Sequence, residues 1–186
     1  MQNPYQLTNK VALITGGTEG IGFETARAFI KLGARVVITG RTLEKLEKAS
    51  KELGENCFVY QNDITDKKCH QQLVDFIERE IGALDILVNN AGKHLKKPTI
   101  DVTDEEFQSV IDTNLNSVFA LTRTVVKPMM KRKRGSLIFI SSMAALYGLE
   151  KVVAYTSSKT ALLGMVRALA SEYSHTGVRF NAIAPG

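Results

Sequence analysis

Short apolar runs and helical stripes alternate along this chain. The runs fall at 11–14, 35–39, 57–60, 85–88, 136–140 and 178–183. Most are continuous and β-branched rather than alternating, the pattern of strands buried on both faces. Between them, Leu43, Leu46, Ala49 and Leu53 recur at helical spacing, as do Leu73, Val74, Ile77 and Ile81. Phe107, Val110, Ile111, Leu115, Val118, Leu121 and Val125 carry the same period over about five turns. Thr103-Asp104-Glu105-Glu106 reads as a capping box at the start of that helix. The β-α-β-α order predicts a doubly wound α/β parallel sheet with right-handed crossovers and helices on both faces. With four prolines and no Pro/Gly/Ser-rich linker or repeat, residues 1–186 read as one domain ending at the Pro-Gly after the sixth strand.

The first strand runs into Thr15-Gly16-Gly17-Thr18-Glu19-Gly20-Ile21-Gly22, and a helical pattern with Ala26, Phe29 and Ile30 on one side follows. Glycines permit positive φ and close backbone approach. A helix N-terminus then offers N–H groups and partial positive charge to a pyrophosphate. The spacing is G-x-x-x-G-x-G, and a glycine cluster also serves as a plain tight turn; its place in the first βα unit favours a nucleotide. The second strand ends Ile38-Thr39-Gly40-Arg41-Thr42. An NAD site places an acid there for the ribose 2′-OH. Here Gly40 leaves room and Arg41 supplies a fork of donors suited to a 2′-phosphate, so NADP is expected over NAD. Glu19, an acid in the glycine turn, argues the other way unless it faces solvent, and Arg41 also suits an ordinary helix-start surface position.

Two polar residues interrupt apolar stripes. Tyr155 and Lys159 are four apart, with Leu162, Val166, Leu169 and Tyr173 continuing on about the same side. On a helix they share a face. A Lys on a buried face needs a partner or a task. Its charge would pull the Tyr pKa below its usual ~10 and suit it to proton exchange; the alternative is a snorkelling Lys and a packing Tyr. Asn114 falls between Ile111 and Val118, where a buried amide must find partners. Either it holds a neighbouring backbone or it binds water in a proton path. Ser142 ends the fifth strand. The glycine turn, Asp63, Asn89-Asn90-Ala91-Gly92 and Ser142 are all expected at the carboxyl edge of the sheet, where open α/β folds bind ligands.

Composition narrows the class. Hydrophobic residues make up 44% and charged residues 23%, values of an ordinary globular chain. No apolar run is long enough to span a bilayer, and the polar stretch 1–10 lacks a secretory signal, so no membrane association is expected. Cys57 and Cys69 read as reduced cytoplasmic thiols. His70, His94 and His175 are scattered, with no metal-site spacing, and read as surface or packing residues. The net charge of +5 is spread along the chain except for Lys131-Arg132-Lys133-Arg134, which complements a helix C-terminus that Gly135 then stops. No aromatics interleave the cations, so no nucleic-acid partner is expected.

Taken together, Thr15-Gly16-x-x-x-Gly20-Ile21-Gly22, Asp63, Asn89-Asn90-Ala91-Gly92, Asn114, Ser142, Tyr155-x-x-x-Lys159 and Pro185-Gly186 resemble the short-chain dehydrogenase/reductase family, in order and spacing from about Lys10 to the end. The resemblance implies a Rossmann fold and an NAD(P)-dependent oxidoreductase acting on a small carbonyl or secondary alcohol. It implies cofactor contacts from Gly16, Thr18, Gly20, Ile21, Gly22, Arg41, Asp63 (toward adenine), Ile64, Asn90, Ala91, Gly92, Tyr155, Lys159, Pro185 and Gly186. Asn89 would steady the sheet. Tyr155 would be the acid/base, Lys159 would tune it and bind the nicotinamide ribose, Ser142 would donate to the substrate oxygen, and Asn114 would hold a water linking Lys159 to solvent. Family members continue past Pro-Gly with nicotinamide contacts and a substrate-covering loop that this sequence does not contain. Two rivals remain. A 3-oxoacyl-carrier-protein reductase would use a basic docking pair, of which Lys133 fills one place and Thr176 occupies the other. A non-catalytic dinucleotide-binding protein would not need Tyr155 and Lys159. The helices at 107–130 and 155–173 carry apolar residues on a second side, including Phe119, Met129, Leu163 and Met165, and predict a homodimer or homotetramer built on them.

Overall fold

The computed structural model describes residues 5–186, so the first four positions of the polar N-terminal stretch lie outside the described residues. The chain forms two compact units, Met1–Asn90 and Ala91–Gly186. The first contains β1 (Val11–Thr15), α1 (Gly20–Lys31), β2 (Arg35–Gly40), α2 (Leu43–Leu53), β3 (Cys57–Gln61), α3 (Cys69–Phe76) and β4 (Leu84–Asn89). Its strands pair in parallel in the order β3-β2-β1-β4. Every residue of β1 and β4 is buried, as their unbroken apolar runs require. Leu13, Ile14, Ile38, Leu46, Leu73 and Ile77 are inaccessible and form the centre of this unit. Because the strands are parallel, the segments after β1, β2, β3 and β4 leave from one edge. The glycine turn, Arg41, Asp63 and Asn90 therefore emerge together.

The second unit contains α4 (Asp104–Ile111), α5 (Ser117–Lys131), β5 (Gly135–Ile140), α6 (Val153–Tyr173) and β6 (Val178–Ile183), with β5 and β6 paired in parallel. The capping box forms: Glu106 N–H donates to Thr103 Oγ1 (3.2 Å) and Thr103 N–H to Glu106 Oε2 (3.0 Å). The helix predicted through 107–125 is a continuous helical run, but a π turn at Asp112–Asn116 separates α4 from α5. Its cause is local. Thr113 Oγ1 donates to Ser109 O (3.0 Å) and Ser117 Oγ to Thr113 O (2.6 Å), so hydroxyls compete with the backbone ladder here.

Gly135 does not stop α5, as the sequence predicted. The helix ends at Lys131, and Lys133 takes the left-handed conformation (φ 53°). Lys133 N–H donates to Met130 O and Arg134 N–H to Met129 O, the bond pattern of a Schellman cap, and Gly135 opens β5. Met129 is also not on an outer face. It is fully buried with Leu121, Leu137 and Phe139 in the core of this unit. His70 is buried and packs, its Nε2 2.9 Å from Ile64 O. Among the described residues no helix is long and apolar enough to cross a membrane, and no His/Cys/Asp/Glu group could hold a metal ion.

Candidate active site

At the edge of the first unit, Gly16 (φ 66°) and Gly20 (φ 59°) take the left-handed conformation that turns β1 into α1. Glu19 sits at the N-cap in extended conformation and makes no side-chain cap. The first turn of α1 thus keeps N–H groups for an outside acceptor. A Cβ on Gly20 would meet nothing within 4 Å, so open space lies in front of the turn. Behind it the packing is close. A Cβ on Gly22 would overlap Gly16 O and lie 2.5 Å from Asn90 Nδ2. Asn90 laces this region: Nδ2 donates to Thr15 O and Gly16 O (2.9 Å each), and its N–H to Thr15 Oγ1 (3.0 Å). These residues fit the phosphates of a dinucleotide.

The acid that clouded the choice of cofactor has a cationic partner. The Glu19 side chain is 76% exposed and pairs with Lys45 on α2 (3.3 Å). Thr18 is half-buried, its methyl facing Gly40, and Ile21 is exposed on the first turn of α1. Arg41 is exposed at the end of β2, and its carbonyl accepts from Gln61 Nε2 (2.9 Å). Asp63 Oδ1 accepts from Thr65 N–H (2.9 Å) and Thr65 Oγ1 (2.7 Å). Those two bonds hold the Asp63 carboxyl below the usual carboxylate range, and the Arg41 charge adds to them. Ile64 is buried beside it. Asn89 is buried at the end of β4.

In the second unit, Lys159 is 4% exposed. Its Nζ donates to Ile140 O (2.7 Å) and lies 5.6 Å from the centroid of the half-buried Tyr155 ring. Burial pushes the ammonium pKa down to about 8. The Lys159 backbone is fixed as well, because its carbonyl accepts from Ser141 Oγ (3.0 Å), a residue the sequence reading passed over. Asn114 is fully buried and its amide is engaged: Oδ1 accepts from Lys93 N–H (2.7 Å), and Nδ2 donates to Lys93 O (2.9 Å) and Ser158 Oγ (3.0 Å). These bonds hold a neighbouring backbone, one of the two roles open from sequence. Ser158, also missed, donates to Tyr155 O (2.7 Å) and so joins Asn114 to the helix that carries the phenol.

Ser142 Oγ accepts from Ala144 N–H (3.1 Å) as the cap of a short 3-10 turn, which leaves its hydroxyl hydrogen for another acceptor. Met143 N–H donates to Pro185 O (2.8 Å), and Gly186 packs against Met143. Ala91 is half-buried and Gly92 exposed on the loop into Lys93. His94, expected to be a bland surface residue, lies against Tyr155 with ring centroids 4.7 Å apart.

A short chain dehydrogenase model matches residues 10–186. The chain belongs to the short-chain dehydrogenase family. It is an NAD(P)-dependent oxidoreductase of that family. This dehydrogenase is 37% identical over 190 residues to 2-dehydro-3-deoxy-D-gluconate 5-dehydrogenase of Pseudoalteromonas atlantica, covering 100% of this chain and 75% of the relative. It is 35% identical over 177 residues to 3-oxoacyl-[acyl-carrier-protein] reductase FabG of Escherichia coli, covering 95% and 72%. A solved structure from Beutenbergia cavernae, described as an NAD(P) dependent gluconate 5-dehydrogenase with bound NADP at low occupancy, matches at TM-score 0.93 and 32% identity, covering 99% of this chain and 74% of that one. The fold class of the dehydrogenase is thus the doubly wound parallel sheet with flanking helices.

Proposed function

We propose that this dehydrogenase uses NADP(H) to interconvert a small-molecule carbonyl and its secondary alcohol, with Tyr155 as proton donor and acceptor. The observation that carries the reading is a buried cation, Lys159, held by Ile140 O beside the Tyr155 ring. A cation so placed costs stability and makes sense as part of a reacting group. NADPH, when bound, would supply the hydride for the carbonyl carbon. Gly16, Thr18, Gly20, Ile21, Gly22 and Asn90 would hold the phosphates, and Asp63 and Ile64 would hold the adenine. Tyr155 gives its phenolic proton to the carbonyl oxygen, which takes up the electron pair of the C=O π bond. Ser142 donates a hydrogen bond to that oxygen. Lys159 balances the negative charge left on the phenol and binds the nicotinamide ribose. Asn114 is a positioning residue for the Lys93 backbone and Ser158. Residues 1–186 act in this reading as one catalytic domain.

The choice of NADP rests on Arg41 and Gly40, together with a Glu19 that is turned to Lys45. Arg41→Ala is expected to weaken NADPH binding about ten- to a hundredfold, the loss of one charge-assisted contact, and to leave NADH binding nearly unchanged. Fluorescence titration of both cofactors tests it, together with NADPH oxidation on a carbonyl panel. Equal loss for NADH and NADPH would remove the 2′-phosphate role. The carrier-protein reductase reading stands second. Lys133 is exposed, but Thr176 turns its hydroxyl onto Tyr173 O (2.6 Å) and offers no cation.

Free Cys57 and Cys69 support a cytoplasmic protein. A groove of about 640 Å³ along α5 and α6, lined by Phe119, Val126, Met130, Leu169 and Tyr173, supports a homodimer or homotetramer on these helices. Phe119 is 47% exposed there. Phe119→Glu is expected to shift the mass measured by light scattering toward the monomer. An unchanged oligomer would move the interface elsewhere.

A further inference from the structure

We propose that the carbonyl substrate is an oxo acid whose carboxylate is read by His94 and Lys96 on the loop beside Tyr155. The inference rests on the carbonyl oxidoreductase reading above and narrows it. The His94 and Tyr155 rings are 4.7 Å apart at their centroids, inclined by 56°, and His94 is exposed. This contact sits in a bonded frame. On one side of His94, the Lys93 backbone is gripped at both its N–H and its carbonyl by Asn114. On the other, Lys97 N–H donates to Lys151 O (2.7 Å), tying the loop to the segment that leads into α6. Asn114 reaches Tyr155 O through Ser158. Hydrogen bonds thus hold the backbone on both sides of His94, and Asn114 and Ser158 tie that loop to the helix that carries Tyr155.

The charge on this loop exceeds what the fold uses. Residues 93–97 read Lys-His-Leu-Lys-Lys, and Lys151 lies next to the point where the loop is tied down. Lys97 is spent on Glu106 (2.8 Å). Lys93 Nζ donates to a neutral acceptor, Ser109 Oγ (2.7 Å), and keeps its charge. Lys96 and Lys151 are exposed, and Glu150 is the acid beside Lys151. A neutral ketone gains nothing from cations carried on the loop whose His94 meets the Tyr155 ring. An anion beside the carbonyl gains from each of them, in binding more than in turnover. A carboxylate also matches the ring nitrogens of His94, which can donate to it. The redox step is unchanged, since the carboxylate takes no part in hydride or proton transfer.

Paired substrates test this. Short-chain oxo acids and their methyl esters are compared by NADPH oxidation, on the protein and on His94→Gln and Lys96→Gln. The expected result is a kcat/KM roughly tenfold or more higher for the acid, carried by KM and reduced by added salt. Each variant is expected to cut the acid-to-ester ratio about threefold or more, the effect of losing one partly screened charge contact. A purely structural His94 would lower both substrates together and leave the ratio intact. Equal rates for acid and ester, or a ratio untouched in both variants, overturns the inference. So does a carrier-linked 3-oxoacyl substrate that outpaces every small oxo acid, since the loop would then be reading an acidic protein. A thermal shift with the hydroxy acid and its methyl ester supplies a readout independent of turnover. Acid-selective stabilisation with no carbonyl reduced would count against the oxidoreductase reading and keep the anion site. Loss of that selectivity would sink the site itself.

Discussion

Tyr155→Phe is expected to lower kcat by about 10²-fold or more, while the Kd for NADPH stays near its original value. The substitution removes one oxygen and its proton. The ring remains, and with it the contacts to His94 and the Lys159 ammonium. The bond from Ser158 goes to the Tyr155 backbone carbonyl and survives as well. Folding stability should therefore change little, which separates this variant from one that fails by unfolding. The carbonyl oxygen gains negative charge as the hydride arrives, and without a positioned acid it must take a proton from water. In the proposed mechanism Ser142 would still donate a hydrogen bond but could not replace the proton. Steady-state NADPH oxidation gives kcat, and fluorescence titration gives the cofactor Kd. Near-normal turnover on any substrate that the parent reduces would remove Tyr155 from the mechanism. A parallel loss of NADPH affinity would mean that the phenol serves the cofactor and not the substrate.

The strands were legible because this fold writes them in its most readable form. Most are continuous apolar runs between polar turns, and the observed ends extend the predicted ones by a residue at most. The capping box was legible for a similar reason, since both of its bonds lie within four residues. What periodicity cannot carry is a change of helix type. The stripe from Phe107 to Val125 looks the same with or without a π turn, and the hydroxyl bonds of Thr113 and Ser117 that accompany it leave no mark on the hydrophobic pattern. Lys133 as a left-handed cap was hidden by the nearby Gly135, the usual residue for that conformation.

The candidate site divides along the same line. Its residue types and their order could be read from motifs, but the directions of its side chains could not. Glu19 turns to Lys45, 26 positions away on another helix. Asn114 chooses the Lys93 backbone, 21 positions back. His94 meets Tyr155, 61 positions further along the chain, with no pattern linking them. Gly17 was overlooked among its neighbours, yet a Cβ there would lie 2.5 Å from Ile38 Cγ2. Such partners depend on tertiary contact, which a local pattern does not encode.

Lys159→Met is expected to remove catalysis and make the protein harder to unfold at neutral pH. Burial holds the Lys159 pKa at about 8, below the 10.5 of a solvated lysine. The folded state therefore binds this proton more weakly than the unfolded state does. At one pH unit per 1.36 kcal/mol, keeping the charge inside costs about 3 kcal/mol wherever both states are protonated. Below pH 8 that cost is present in full. Between about pH 8 and 10.5 the folded state has released the proton and the unfolded state still holds it, so stability rises with pH. Above 10.5 the penalty is gone. Methionine has similar length and no charge, but it abandons the bond to Ile140 O, which returns about 1 to 2 kcal/mol of the gain. The variant should be about 1–2 kcal/mol more stable than the parent at pH 7, and the difference should shrink and change sign near pH 10. Over the same change, kcat should fall by about 10²-fold or more, as for Tyr155→Phe, and NADPH should bind more weakly because the ribose loses a donor. Urea unfolding of the cofactor-free protein at several pH values, set beside the kinetics, gives both arms. A variant less stable than the parent at pH 7 would mean that Lys159 is a structural cation compensated by its surroundings and not one tolerated for the sake of Tyr155.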